Sequence, residues 1–112
     1  MAISITNNSA SISTTEYFLF ANSTTASYQT TDAILQVVID FVNMVAGDEY
    51  LVTIYEGAEG TNARTLYKST VIGVQTELWC SPAFVVGNKY EVSVDLIAGS
   101  ARTVLWSLRT VS

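Results

Sequence analysis

Apolar and polar residues alternate with period two along much of this chain, the repeat of strands that bury one face. In Glu49–Glu56, Tyr50, Val52 and Ile54 share a face; further on, Tyr90, Val92, Val94 and Leu96 do so, and then Val104, Trp106 and Leu108. The most apolar run, Ala33–Val42, departs from this pattern, with Gln36 and Asp40 as its only polar members. As a helix it would carry a polar stripe of Asp32, Gln36, Asp40 and Asn43, starting at Thr31 or Asp32 and ending at Gly47, so periodicity alone permits an amphipathic helix. As a strand it is dense in β-branched residues (Ile34, Val37, Val38, Ile39) and has the near-continuous apolar character of a strand covered on both faces. A lone helix among period-two segments would need a partner layer of its own, which favours the strand.

Turn signals divide the rest into short strands. Residues 2–6 and 9–13 read as a small hairpin around Asn7 and Asn8, and Glu16–Phe20 as a further strand. The Ser/Thr-rich stretch Ala21–Thr31 reads as a surface loop. Gly57–Asn62 links Glu49–Glu56 to Arg64–Val71 as a hairpin, with Leu66 on one face and Thr65, Tyr67 and Ser69 on the other. Gly73 marks a bend, and Pro82, the single proline, makes Trp79–Val86 an edge segment or a crossing between sheets. Gly87 and Asn88 open a last hairpin, which turns at Ala98–Ser100 and returns along Arg102–Val111. Val45–Val52 and Val86–Val92 echo each other weakly, as two similar hairpins would.

About eight short strands with turns every 8–12 residues predict an all-β fold, an antiparallel β-sandwich that is either jelly-roll-like or immunoglobulin-like. The 112 residues make a single domain, in which 1–15 is either an N-terminal arm or an edge hairpin. Ile34, Val38, Tyr50, Val52, Ile54, Leu66, Val92, Val94, Val104 and Trp106 are the expected core, with the inward parity of residues 33–42 left open. Pro82, Lys68, Lys89 or a partner subunit would protect the sheet edges.

Hydrophobic residues make up 49% of the chain and charged ones 13%, so solubility rests on hydroxyls, and the large neutral surfaces suit a subunit of an assembly. The net charge of −5 and the scatter of five basic residues offer no track for a phosphate backbone, so no direct nucleic-acid binding is expected. Without histidine the usual general base and zinc ligand are missing, and the one cysteine, Cys80, reads as a small buried thiol. No enzymatic activity, cofactor or metal is expected. Asp48 with Glu49, and Glu56 with Glu59, read as solvated turn charges in preference to a calcium loop. Asp40 is expected to close its strand by accepting a backbone N–H from the following turn. Residues 1–6 lack a basic leader and 33–42 is too short to span a bilayer, which predicts a protein made in a cytoplasm and no membrane partner. Trp79, beside Pro82, is the better candidate for an exposed aromatic, while Trp106 falls on a core face; a sugar-stacking platform would use such a residue.

Residues 35–40, Ala46–Asp48 leading into a strand that ends at Ile54–Glu56, Ser81–Pro82, and Ile97–Ser100 followed by Arg102–Arg109 together resemble a group of small, mostly uncharacterised structural proteins of tailed-bacteriophage virions. The resemblance spans about residues 30–110 as an ordered set of short motifs. It implies a β-sandwich accessory protein, most simply a capsid decoration protein that binds the phage shell in many copies, with the major capsid protein or other virion proteins as partners, self-association, and a location in the virion after assembly in the host cytoplasm. It carries over no catalytic or binding residue. From the sequence itself, Ile3, Ile5 and Ile12 in the polar N-terminal stretch, together with Trp79, are the candidate partner-binding residues. The alternative function is a carbohydrate-binding β-sandwich module on the particle surface or tail.

Overall fold

The computed structural model describes residues 2–112 and contains two antiparallel sheets packed face to face. The nine strands among the described residues are β1 (Ile3–Ile12), β2 (Tyr17–Phe18), β3 (Ala33–Asp40), β4 (Glu49–Glu56), β5 (Arg64–Ile72), β6 (Trp79–Cys80), β7 (Phe84–Val86), β8 (Glu91–Ala98) and β9 (Arg102–Val111). One sheet runs β1-β9-β3-β6, with β7 also pairing to β3; the other runs β2-β8-β4-β5. The pairing is nested: β1 with β9, β2 with β8, β3 with the broken strand β6–β7, and β4 with β5. A long hairpin rolled up on itself pairs in this order, and of the two expected sandwich types it is the jelly roll.

The core lies between the sheets. β3 contributes Ala33, Leu35, Val37 and Ile39, β4 contributes Tyr50, Val52 and Ile54, β8 contributes Val92, Val94 and Leu96, and β9 contributes Val104, Trp106 and Leu108. The strand reading of 33–42 holds over Ala33–Asp40, but the strand is covered on one face only. Ile34 is 45% exposed and Val38 half-buried, because their parity is shared with Gln36 and Asp40, whose polar groups belong outside. Ile34 and Val38 therefore leave the expected core. Leu66 leaves it too, at 44% exposed. A bulge against Ile54/Tyr55 skips Leu66, and the inward set is Tyr67, Ser69 and Val71, opposite Ile54, Val52 and Tyr50.

Two expected hairpins are replaced. Residues 3–12 do not turn at Asn7 and Asn8 but continue as one straight strand against β9, from Ile3 opposite Val111 to Ile12 opposite Arg102. The segment Arg102–Val111 does not return beside β8; the turn at Ala98–Ser100 carries the chain across to the other sheet, so β4–β5 is a hairpin and β8–β9 is not. The crossing is fixed by Asp48. Its side chain accepts from the Val45 N–H (3.0 Å), the Ser100 N–H (3.2 Å) and Arg102 Nε (2.8 Å), joining the β3–β4 and β8–β9 connections. Those bonds, led by the Val45 amide and the Arg102 side chain, hold the Asp48 carboxyl below its ordinary range. Gly99 has a positive φ of 93°, and a Cβ there would collide with that carboxylate. The Tyr50 hydroxyl completes the corner, donating to the Ile12 carbonyl (2.7 Å) and accepting from the Arg102 N–H (2.9 Å) in place of a ladder bond.

Candidate interaction surface

Strand pairing sets out the outer face of the β1-β9-β3-β6/β7 sheet row by row. At one end Ile3, Val111, Ile34 and Val85 lie side by side across four strands, an aliphatic row open to solvent, with Ile3 72% and Val85 84% exposed. Next come Ile5, Arg109 and Gln36, then Asn7, Ser107, Val38 and Cys80, then Ser9, Leu105 and Asp40. A shallow trough of about 260 Å³ crosses the middle rows, between Asn7, Ser107, Val38, Leu105 and Leu78. Arg109 and Asp40 are the charged residues in these rows, and Asp40 is committed locally, accepting the Val42 N–H at 3.0 Å as expected for a strand-closing aspartate.

On the opposite outer face the β8–β4 side is covered by the chain itself, while the β5 side, with Leu66, Lys68 and Thr70, is open. Residues following β1 fold back over the covered side: Glu16 accepts from the Tyr55 and Ser93 hydroxyls, and the Phe18 and Tyr55 rings lie 6.4 Å apart. Burial and the Glu16 carboxylate push the Tyr55 hydroxyl up to about 12, so it stays a donor. Glu91, fully buried, accepts the backbone N–H groups of Phe20 (2.8 Å), Ala21 (3.1 Å), Ser27 (3.3 Å) and Val92 (2.8 Å). Burial raises its carboxyl above the ordinary range against the pull of those four donors. The Ser/Thr-rich loop is thus pinned to the sandwich by a buried glutamate that nothing in local sequence marks as special.

The four sheet edges also differ. β6–β7 is broken at Ser81–Pro82, β2 has two residues, and β5 carries Arg64, Lys68 and the Leu66 bulge, each a recognised way to blunt an edge. β1 has none of these. Its ten residues include no charge, proline or glycine, and its register against β9 has no shift. Ala2 and Ser112 exchange backbone bonds of 2.7 and 3.0 Å, which sets the phase of the ladder: even-numbered residues of β1 bond to β9, while Ile3, Ile5, Asn7, Ser9 and Ser11 direct their N–H and C=O groups outward. Among the described residues no strand pairs with that edge.

Of the residues expected to bind a partner, Ile3 and Ile5 stand on this exposed face beside this edge. Ile12 does not; it is fully buried between the sheets and is a core residue, because the inward phase of β1 reaches the core only at its C-terminal end. Trp79 is half-buried, packed near Tyr67 with its Nε1 donating to Ser69 Oγ (3.3 Å), so it anchors β6 to the core and is not an exposed platform. Cys80, its neighbour, takes the opposite parity and is exposed, contrary to the buried thiol expected. Two of the four turn carboxylates are not the solvated charges expected: Asp48 is buried in the bonds described above, and Glu56 accepts the N–H groups of Ala58, Gly87 (3.0 Å) and Asn88 (3.2 Å); no cluster of three or more metal-ligating groups occurs among the described residues. No protein-family model matches this chain, and no curated protein sequence matches it.

Proposed function

We propose that the protein is a non-enzymatic structural component of a tailed-phage virion, an accessory protein that attaches to the capsid shell in many copies through the β1 side of the molecule. The observation that supports this reading most is the outer face of the β1-containing sheet, nearly uncharged and crossed by the Ile3–Val111–Ile34–Val85 row, ending at an undefended strand edge. Such a surface on a free-standing protein invites association, and in an assembly it is contact area. Jelly rolls serve both as capsid and as lectin domains, so the fold alone does not separate the two functions considered. The surface favours the first, since Trp79, the residue a sugar platform would need, is turned to internal packing.

The test is the protein's presence in purified particles at a fixed ratio to the shell protein, with co-sedimentation of added protein onto particles stripped of it. A double substitution in the aliphatic row, Ile3→Asp with Val85→Asp, should abolish co-sedimentation while leaving the circular dichroism spectrum unchanged. Absence from particles, or undiminished binding by the double variant, would overturn the reading.

A further inference from the structure

We infer that the β1 edge is the contact for a second copy of this chain, joined as an antiparallel β1–β1 pair about a twofold axis through Asn7. The inference rests on the reading of the β1 side as a contact surface, and it names the partner at its edge. Register selects this partner. Five residues, Ile3, Ile5, Asn7, Ser9 and Ser11, present unpaired N–H and C=O groups. An antiparallel partner satisfies a residue's two groups only when that residue faces one of the same outward phase. A second β1 offers the same five residues. If Asn7 faces Asn7, then Ile5 faces Ser9 and Ile3 faces Ser11, in both directions, and every outward group on both chains is paired. Moving the register by one step in either direction leaves outward groups without partners at the ends.

Charge points the same way. The molecule carries a net charge of −5, which opposes self-association wherever charges meet. β1 is the long edge on which none do. Its straight register, without bulge or shift, lets a second strand run alongside for its full length. An axis perpendicular to the sheet brings the two neutral outer faces into one surface on the same side, so the pair would present the Ile3–Val85 row twice to one support. Two linked copies hold a repetitive surface far more tightly than one.

The register makes the test specific. With Cys80 replaced by serine to remove the exposed thiol, Asn7→Cys places two cysteines opposite each other on the axis, with Cα atoms about 5.5 Å apart, within disulfide range. Ser11→Cys, equally exposed, places them eight residues apart along the strands, about 27 Å, beyond reach. Wild-type protein should sediment as a dimer. Under mild oxidation the Asn7→Cys variant should be trapped as a covalent dimer and the Ser11→Cys variant should stay monomeric. Asn7→Lys, which removes no hydrogen bond of the monomer but sets two cations face to face, should weaken the dimer by at least about tenfold with its melting otherwise unchanged.

A wild-type protein that is monomeric at about 100 μM, far above the Kd of a specific interface, would overturn the inference. So would equal trapping of the two cysteine variants, or a dimer indifferent to Asn7→Lys. These measurements use purified protein without particles, so a monomer leaves the virion reading to its own test, and a dimer absent from particles sinks that reading alone.

Discussion

β5 and β1 each close one side of a sheet, with nine and ten residues, and they solve the problem of an open edge in opposite ways. β5 sets Arg64 and Lys68 along its length and breaks its own register at Leu66, so an approaching strand would meet charge and a kink. β1 offers ten uncharged residues in unbroken register and keeps its outward N–H and C=O groups available. Both strands pair along nearly their whole length with one inner neighbour, so the difference lies on the outward side of each. Edge chemistry can be varied without touching the core, and where a sequence leaves one edge undefended while blunting the rest, that edge is the place to look for a partner.

The largest effect should come from β1 itself. Ile12→Asp puts a carboxylate in the core, a cost of several kcal/mol against a total of about 5–15 for a domain of this size, and should abolish the cooperative melt. Removing residues 2–13 should do the same, since it takes away a whole strand and the Ile12 carbonyl that Tyr50 holds. A truncated protein that still melts cooperatively would make β1 a detachable arm and not, like β5, an integral edge of its sheet.

The anchored end of β1 also depends on pH. Ile12 lies opposite Arg102, which Asp48 fixes at 2.8 Å. Asp48 titrates lower when folded than when unfolded. Its stabilising contribution is therefore complete above the unfolded value of about 3.9 and is lost as pH falls through the folded value. Asp48→Asn should lower the melting temperature at pH 7 by several degrees and flatten the loss of stability below pH 4. The comparison of thermal melts from pH 7 to pH 2 checks this, and an unchanged acid slope would mean that the corner is held by Tyr50 alone.

The smallest effect should come from disarming β5. Lys68→Thr removes a cation from that edge but leaves the Leu66 bulge, so melting should move by less than about 0.5 kcal/mol and sedimentation not at all. If that one change makes the protein associate, charge and not register is what defends an edge here.

The class of fold and most of the core are legible in the order of residues alone. Period-two alternation in Glu49–Glu56, Glu91–Ala98 and Arg102–Val111 names its inward residues directly, and Tyr50, Val52, Ile54, Val92, Val94, Val104 and Trp106 are all buried. The parity of β3 had a signal too, since Gln36 and Asp40 share a face with Ile34 and Val38 and turn Leu35, Val37 and Ile39 inward, but a strand expected to be covered on both faces puts Ile34 and Val38 in the core, where the structure does not have them. Which strands become neighbours is not legible there and depends on the packed molecule. Asn7–Asn8 has the chemistry of a turn, yet ten residues of pairing with β9 outweigh the local preference. Ala98–Ser100 looks like a hairpin turn, yet Asp48, some fifty residues earlier, bends it across to the other sheet. The candidate surface follows from those pairings, because its rows join residues from both ends and the middle of the chain. Alternation tells a strand which face to bury, whereas pairing is settled by contacts distant in sequence, and an edge becomes an edge only when every other strand has found its place.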